Sequence, residues 1–181
     1  NTMSEAAAAE SSKIRTIILA LSSTLAMAAI VGFFIYSSVC PCERTPGGLL
    51  MGERAREPVT DWSFANDVPL CQIQIWAGIR PHSVNLNCMA TAEGKLYLSC
   101  SFCDTKYWAS KVGENEGGRL KLNGIVYPVI FNRVLDPAEL DSAWTARVSK
   151  LQIHGGPGNP APPPGAQRGD RWWSFNLVSA I

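Results

Sequence analysis

One uncharged stretch, Thr16 to Val39 (TIILALSSTLAMAAIVGFFIYSSV), constrains this chain most. A helix rises about 1.5 Å per residue, so the run is long enough to cross the ~30 Å hydrocarbon core of a bilayer. It is longer than the apolar core of a secretory signal, and no A-x-A pattern ends it; Tyr36, Val39 and Pro41 stand there instead. Ser37 and Val39 also fit a lipoprotein cleavage site poorly. We therefore expect a retained transmembrane helix, 16–39, with a cleaved signal as the alternative. Lys13 and Arg15 abut the run, whereas Arg44, Arg54 and Arg56 lie beyond it. Proximity favours a cytoplasmic N-terminus. All six cysteines follow the run, which suits an oxidising compartment. The expected location is single-pass, with an extracytoplasmic (periplasmic) C-terminal domain.

The helix has its own pattern. Ala20, Thr24, Ala28 and Gly32 recur every four residues and form one narrow face of small side chains. In lipid such a face lets a second helix approach closely. The expected partners are thus the bilayer and other membrane protein subunits.

The formal net charge is +1, and no basic cluster suits a nucleic-acid backbone. Beyond a tail, 1–15, and the helix, the chain divides by composition. Residues 40–67 mix Gly, Pro and charge and read as a tether. Residues 155–167, containing GGPGNPAPPPG, read as an extended linker. Between them, 68–154 is long enough for one domain with its own core.

Leu70 to Ala77 alternates, with Cys71, Ile73, Ile75 and Ala77 on one side and Gln72 and Gln74 on the other: a strand with one buried face. Val84 to Ala90 repeats the pattern, and Ile79-Arg80-Pro81-His82 joins the two. Thr91 to Gly94 is a turn, Leu96 to Ser101 a strand, and Asp104 to Val112 a short helix. Asn123-Gly124 between apolar runs signals a two-residue hairpin, and Pro128 demotes its strand to an edge or a bulge. Asp136-Pro137-Ala138-Glu139 opens a helix with an N-cap, a first-turn proline and a capping box. That helix runs to about Lys150 with Leu140, Trp144 and Val148 on one face. Consecutive antiparallel strands with capping helices suggest an α+β domain built on a small curled sheet or barrel.

The run from Leu96 to Arg147 resembles the core of the split β-barrel flavin-binding proteins, including pyridoxamine-phosphate-oxidase-like proteins and deazaflavin-dependent nitroreductases. It carries a strand ending in small polar residues, Lys106-Tyr107-Trp108, a strand pair around Asn-Gly, Asp-Pro-Ala-Glu and a Trp-bearing helix. Arg80-Pro81-His82-Ser83-Val84 resembles the entry to that family's second strand. The resemblance implies a split β-barrel and a cofactor phosphate near Ser99, Ser101, Thr105 and Lys106, with Trp108 beside them. One departure stands out: Ser101-Phe102-Cys103-Asp104 replaces the basic loop of the deazaflavin branch, and Asp104 would repel a phosphate. Asp104 therefore reads as a helix cap and Lys106 as solvated, so that no cofactor is expected. The alternative is FMN or a deazaflavin.

If the first two strands pair about Arg80, Cys71 faces Cys88 and a cross-strand bridge is within reach. Cys100-x-x-Cys103 sits where a strand meets a helix and suits a structural disulfide, or thiol–disulfide exchange. No metal site or catalytic set is expected; His82 and His154 stand apart in a turn and at the linker. The terminal segment 168–181 (RGDRWWSFNLVSAI) is too apolar to remain in water. Trp172, Trp173 and Phe175 are expected either to fold back on the domain or to grip a membrane or another subunit.

Together these features suggest an accessory subunit of a membrane complex with a degenerate barrel, leaning away from an enzyme. The alternatives are a tethered flavin or deazaflavin oxidoreductase and a thiol–disulfide protein using Cys100 and Cys103.

Overall fold

The computed structural model describes residues 2–42 and 45–181. The chain divides into two units, 1–38 and 39–181. The first is one helix, α1 (Thr2–Ser38). Most of the expected tail is thus helical, as an Ala-rich run favours. Its stretch Ser12–Ser38 has a mean hydropathy of 2.3 and is long and apolar enough to cross a membrane. Four of its hydroxyls are satisfied locally: Thr16, Ser22, Thr24 and Ser38 each donate to a carbonyl three or four residues back, whereas the buried Ser37 Oγ has no partner among the described residues. Those four bonds remove the main cost of placing such residues in lipid.

The second unit contains a closed antiparallel barrel. Its elements are β1 (Glu53–Arg54), β2 (Cys71–Ala77), β3 (Arg80–Ala90), β4 (Leu96–Cys100), β5 (Glu116–Leu122), β6 (Ile125–Arg133), α2 (Pro137–His154) and β7 (Trp173–Ser179). The sheet order is β1-β6-β5-β2-β3-β4-β7, and β7 returns to β6, so six strands close and β1 adds a short parallel edge. The α+β barrel expected from the sequence is the observed architecture. Period-2 alternation sends Ile73, Ile75, Leu96, Leu98, Leu120, Phe131, Phe175 and Leu177 into its core. Each such side chain contributes about 1.5–3 kcal/mol by leaving water.

The Asn123-Gly124 hairpin forms as read, with φ of 48° and 84°. β6 is not an edge, however: it pairs with β5 along its length and with β1 and β7 on its other side. Pro128 falls between the residues bonded to β1 and those bonded to β7, so its missing N–H leaves no ladder bond unmade. Its carbonyl accepts from Ala180 N at 3.0 Å. The α2 cap is also as read, with Asp136 Oδ1 accepting from Glu139 N at 2.8 Å. The buried face of α2 is different: Ala143, Arg147, Lys150 and Leu151 point inward, while Leu140, Trp144 and Val148 are half-buried.

Two segments read as loose are packed, and the terminal segment joins the sheet. Within 40–67, Leu50, Trp62 and Ala65 are buried, and Trp62 meets Tyr127 edge-on at 5.2 Å; Glu43 and Arg44 lie outside the described residues. The Pro/Gly-rich linker lies along α2, where Trp144 Nε1 donates to Ala166 O at 2.9 Å. The aromatic terminal segment supplies β7. Phe175 is buried against Trp108 at 5.3 Å, Trp173 is covered by the Arg133 guanidinium at 3.5 Å, and Trp172 meets Trp144 at 5.4 Å. Phe175 is thus buried within the domain and Trp172 and Trp173 are half-buried, while Val178 and Ile181 stay exposed.

Candidate functional site

A cavity of about 550 Å³ opens between the barrel wall and the C-terminal end of α2. β3 lines it with Asn85, Leu86 and Asn87, and β4 with Ser99 and Cys100. Ser101 and Lys106 come from the turn after β4, Arg147 and His154 from α2, and Gly156 to Asn159 from the following loop. Three basic side chains face this space, and no carboxylate is among its lining residues.

The turn after β4 is shaped locally. Cys100 and Cys103 bring their sulfurs to bonding distance, across Cα atoms 5.5 Å apart. Phe102 between them adopts a left-handed φ of 50°. The chain reverses there, so the helix expected over 104–112 does not form. Two 3-10 turns, Cys103–Thr105 and Ala109–Lys111, replace it. Asp104 caps nothing. Arg171 grips it with a two-pronged contact, Nη2 to Oδ1 at 2.9 Å and to Oδ2 at 2.8 Å. The carboxylate expected to repel a phosphate is paired.

Of the five residues implied by resemblance, three come together. Ser99, Ser101 and Lys106 line the cavity. Ser99 Oγ lies 3.2 Å from Ser174 Oγ, which holds it in place. Thr105 is turned away, its hydroxyl donating to Phe102 O at 2.7 Å. Trp108 is a core residue under Phe175.

Arg147 is the residue the sequence reading missed. It is only 4% exposed. Its Nη2 donates to Asn159 Oδ1 at 2.9 Å and its guanidinium stacks on Trp172 at 4.2 Å. Its Nε and Nη1 have no hydrogen-bond partner, which is costly for buried donors. Burial draws its pKa down to about 10, so it stays charged at neutral pH. His154, also on the cavity wall, places Nε2 3.0 Å from Asn66 O. The signal for Arg147 was its spacing: it lies four residues from both Ala143 and Leu151, on the inward face of α2.

The cysteines of the first two strands are not opposed. β2 and β3 turn on Gly78-Ile79, so Ala77 pairs with Arg80 and Cys71 faces Leu86. The register differs from the expected one because Gly78, at φ 68°, permits a tighter turn. Cys71 and Cys88 are free, buried thiols. Burial, and the neighbouring Cys88, raise the Cys71 pKa well above the ordinary range. Lys150 buries its ammonium near them and donates to Ala65 O. His82 is buried beside Tyr107, ring centroids 5.0 Å apart; burial and Arg80 lower its pKa. Among the described residues no three His, Cys, Asp or Glu side chains are grouped to hold a metal.

A second hollow, about 660 Å³, lies between α2 and the end of β3, with Glu93, Asp141 and Lys150 among its lining residues.

No family model and no curated protein matches this chain. Among solved structures, it is similar to an FAD-binding protein from Mycobacterium smegmatis, with 12% identity and a TM-score of 0.40 over 66% of this chain and 88% of that one. It is also similar to a NimC/NimA family protein from Clostridium acetobutylicum, with 14% identity and a TM-score of 0.41 over 64% and 74%. The chemistry of the site rests on its own residues: a buried, incompletely paired guanidinium, two further bases and short hydroxyls are a donor set for an anion.

Proposed function

We propose that this chain is a membrane-anchored binding protein whose barrel takes a phosphate- or carboxylate-bearing ligand, a flavin nucleotide being the first to test. The observation that carries this reading is Arg147, buried on the cavity wall with two donors unpaired. Arg147 and Lys106 would hold the anionic group, and Ser99, Ser101, Asn85 and Asn87 would orient the polar edge of the remainder. These residues fit a flavin nucleotide in charge, and the cavity volume falls within the usual range for a small-molecule site. When bound, such a cofactor would supply redox chemistry; the chain's part is to bind and position it. The test is a titration of the detergent-purified full chain with FMN and with a deazaflavin, followed by cofactor fluorescence. Saturable binding, displaced by inorganic phosphate and weakened in Lys106→Gln, is the expected result. Failure to bind either cofactor or phosphate would refute the reading.

In this reading α1 is the anchor, with its N-terminus cytoplasmic and the barrel extracytoplasmic. Lys13 and Arg15 beside the apolar run support that orientation, and protease protection of the barrel in sealed vesicles checks it. A second reading, subunit of a membrane complex, draws on α1 itself. Its apolar side chains are exposed, and a Cβ at Gly32 would meet nothing. Purification in mild detergent as a lone polypeptide would count against that role.

A further inference from the structure

The β2–β3 hairpin has an outer face that is only partly covered. Alternation places Gln72, Gln74 and Trp76 on it. Gln72 Nε2 donates to Pro41 O at 3.3 Å, Gln74 Oε1 accepts from Leu50 N at 2.9 Å, and Gly47 and Ser83 exchange bonds of 2.8 and 2.9 Å. Val39, the first residue after α1, accepts from Gly48 N at 2.7 Å. The first residues of the second unit, 39–50, therefore lie along this face. By chain geometry, Ile79 lies no more than about 30 Å from Val39.

Past that covered part, the hairpin tip is bare. Ile79 is 89% exposed and Trp76 45%. Tyr107, against Arg80 and His82 on the opposite face of the hairpin from Trp76, is 45% exposed, with Arg80 Nη2 donating to its hydroxyl at 3.1 Å and Lys111 Nζ 5.4 Å from its ring. Neither contributing segment, 71–92 nor 105–113, contains an acidic residue. Glu116, at the start of β5, is the nearest carboxylate on the neighbouring strand, toward Ala77. An apolar and aromatic tip with Arg80 and Lys111 close by suits a bilayer surface that carries anionic lipid: Trp and Tyr favour the headgroup level, and Arg and Lys meet anionic headgroups.

We propose that the β2–β3 hairpin tip is a bilayer contact, with Ile79 and Trp76 seated in the interface and Arg80 and Lys111 on lipid headgroups. The proposal rests on the reading of α1 as a membrane anchor. It adds a second attachment, one that fixes which end of the barrel faces the lipid.

The test uses the full chain reconstituted into liposomes of phosphatidylcholine and phosphatidylglycerol, with and without brominated acyl chains, which quench nearby tryptophan. Trp62 and Trp108 are buried, and Trp76 stands exposed at the tip, so its contribution is isolated by Trp76→Phe. The expected result is partial quenching that is lost in Trp76→Phe and reduced in Ile79→Asp, with both variants keeping the wild-type circular dichroism. Equal quenching in wild type and Trp76→Phe, or none, overturns the proposal. Carbonate-resistant flotation run on the same samples separates the two readings. Protein that floats without quenching through Trp76 overturns the hairpin contact alone, whereas protein that does not float overturns the anchor as well.

Discussion

Arg147→Met separates stability from binding, and the structure sets both magnitudes. The lowering of the guanidinium pKa by burial to about 10 corresponds to about 3 kcal/mol against the charged folded state. Because the folded value lies below the unfolded one, this cost is fully present at neutral pH and fades only as pH rises above about 10. Against it stand the bond to Asn159, worth about 1.5–3 kcal/mol for a charged donor, and the stack on Trp172, worth about 1–2 kcal/mol. Both are lost in Met, which still fills the space. The terms nearly cancel, so the ligand-free variant should stay within about 1 kcal/mol of wild type, as replacement of buried ions by apolar residues often does. That is a Tm shift of about 2–4 °C at this size. Binding is a different matter. One charge-assisted bond to the ligand's anionic group, worth about 1.5–3 kcal/mol, should weaken affinity by about 10–150-fold. Thermal denaturation and an FMN titration on the same preparations measure the two effects. A variant destabilised by more than about 3 kcal/mol that bound FMN as well as wild type would refute the reasoning and make Arg147 a structural residue.

Three further outcomes follow from local chemistry. Tyr97 is buried and its hydroxyl donates to Glu139 Oε1 at 2.8 Å; burial and that carboxylate raise its pKa. The unfolded chain loses this proton near pH 10 while the folded chain keeps it, so stability should fall as pH rises past 10, with a shallower fall in Tyr97→Phe. A Cβ at Gly118 would lie 2.5 Å from both Gln74 O and the Phe131 ring; Gly118→Ala should cost about 1–3 kcal/mol, read as a lowered denaturation midpoint. Under iodoacetamide at mildly alkaline pH, exposed Cys40 and Cys42 should be modified first. Cys71 and Cys88 should remain unmodified until the chain unfolds, as peptide mass spectrometry would record.

What the sequence made legible was mostly local. Alternation located β2, Asn123-Gly124 fixed the β5–β6 register, and Asp136 began α2, because each depends on a few neighbouring residues. The register of β2 on β3 was misplaced by one turn position because Arg80-Pro81 reads as a loop while Gly78-Ile79 is the tighter solution. The short helix after β4 failed for a related reason: its cap, Asp104, is claimed by Arg171, far along the chain. The resemblance pointed to Ser99, Ser101 and Lys106, which line one cavity. It could not find Arg147, because a buried arginine on a helix face looks like a solvated one until the partner surface is known. Nor could composition show that 40–67 and 155–167 pack, since Gly and Pro describe backbone conformation rather than what covers it.

The last strand shows why these long-range features belong together. β7 closes the barrel by pairing with both β4 and β6. The same short stretch carries Arg171 to Asp104, Trp172 to Arg147 and Ser174 to Ser99. The first contact neutralises the one carboxylate in the turn beside the cavity. The second supports the buried guanidinium on an aromatic face, and the third pins a serine of the cavity wall. Closing the barrel and setting the charge of the site are therefore one event. A chain lacking 168–181 would lose not only apolar burial by Phe175 and Leu177 but also the electrostatic setting that suits the cavity to an anion. The aromatic segment is part of the site's construction, and that is a physical reason for so apolar a stretch to follow a Pro-rich loop.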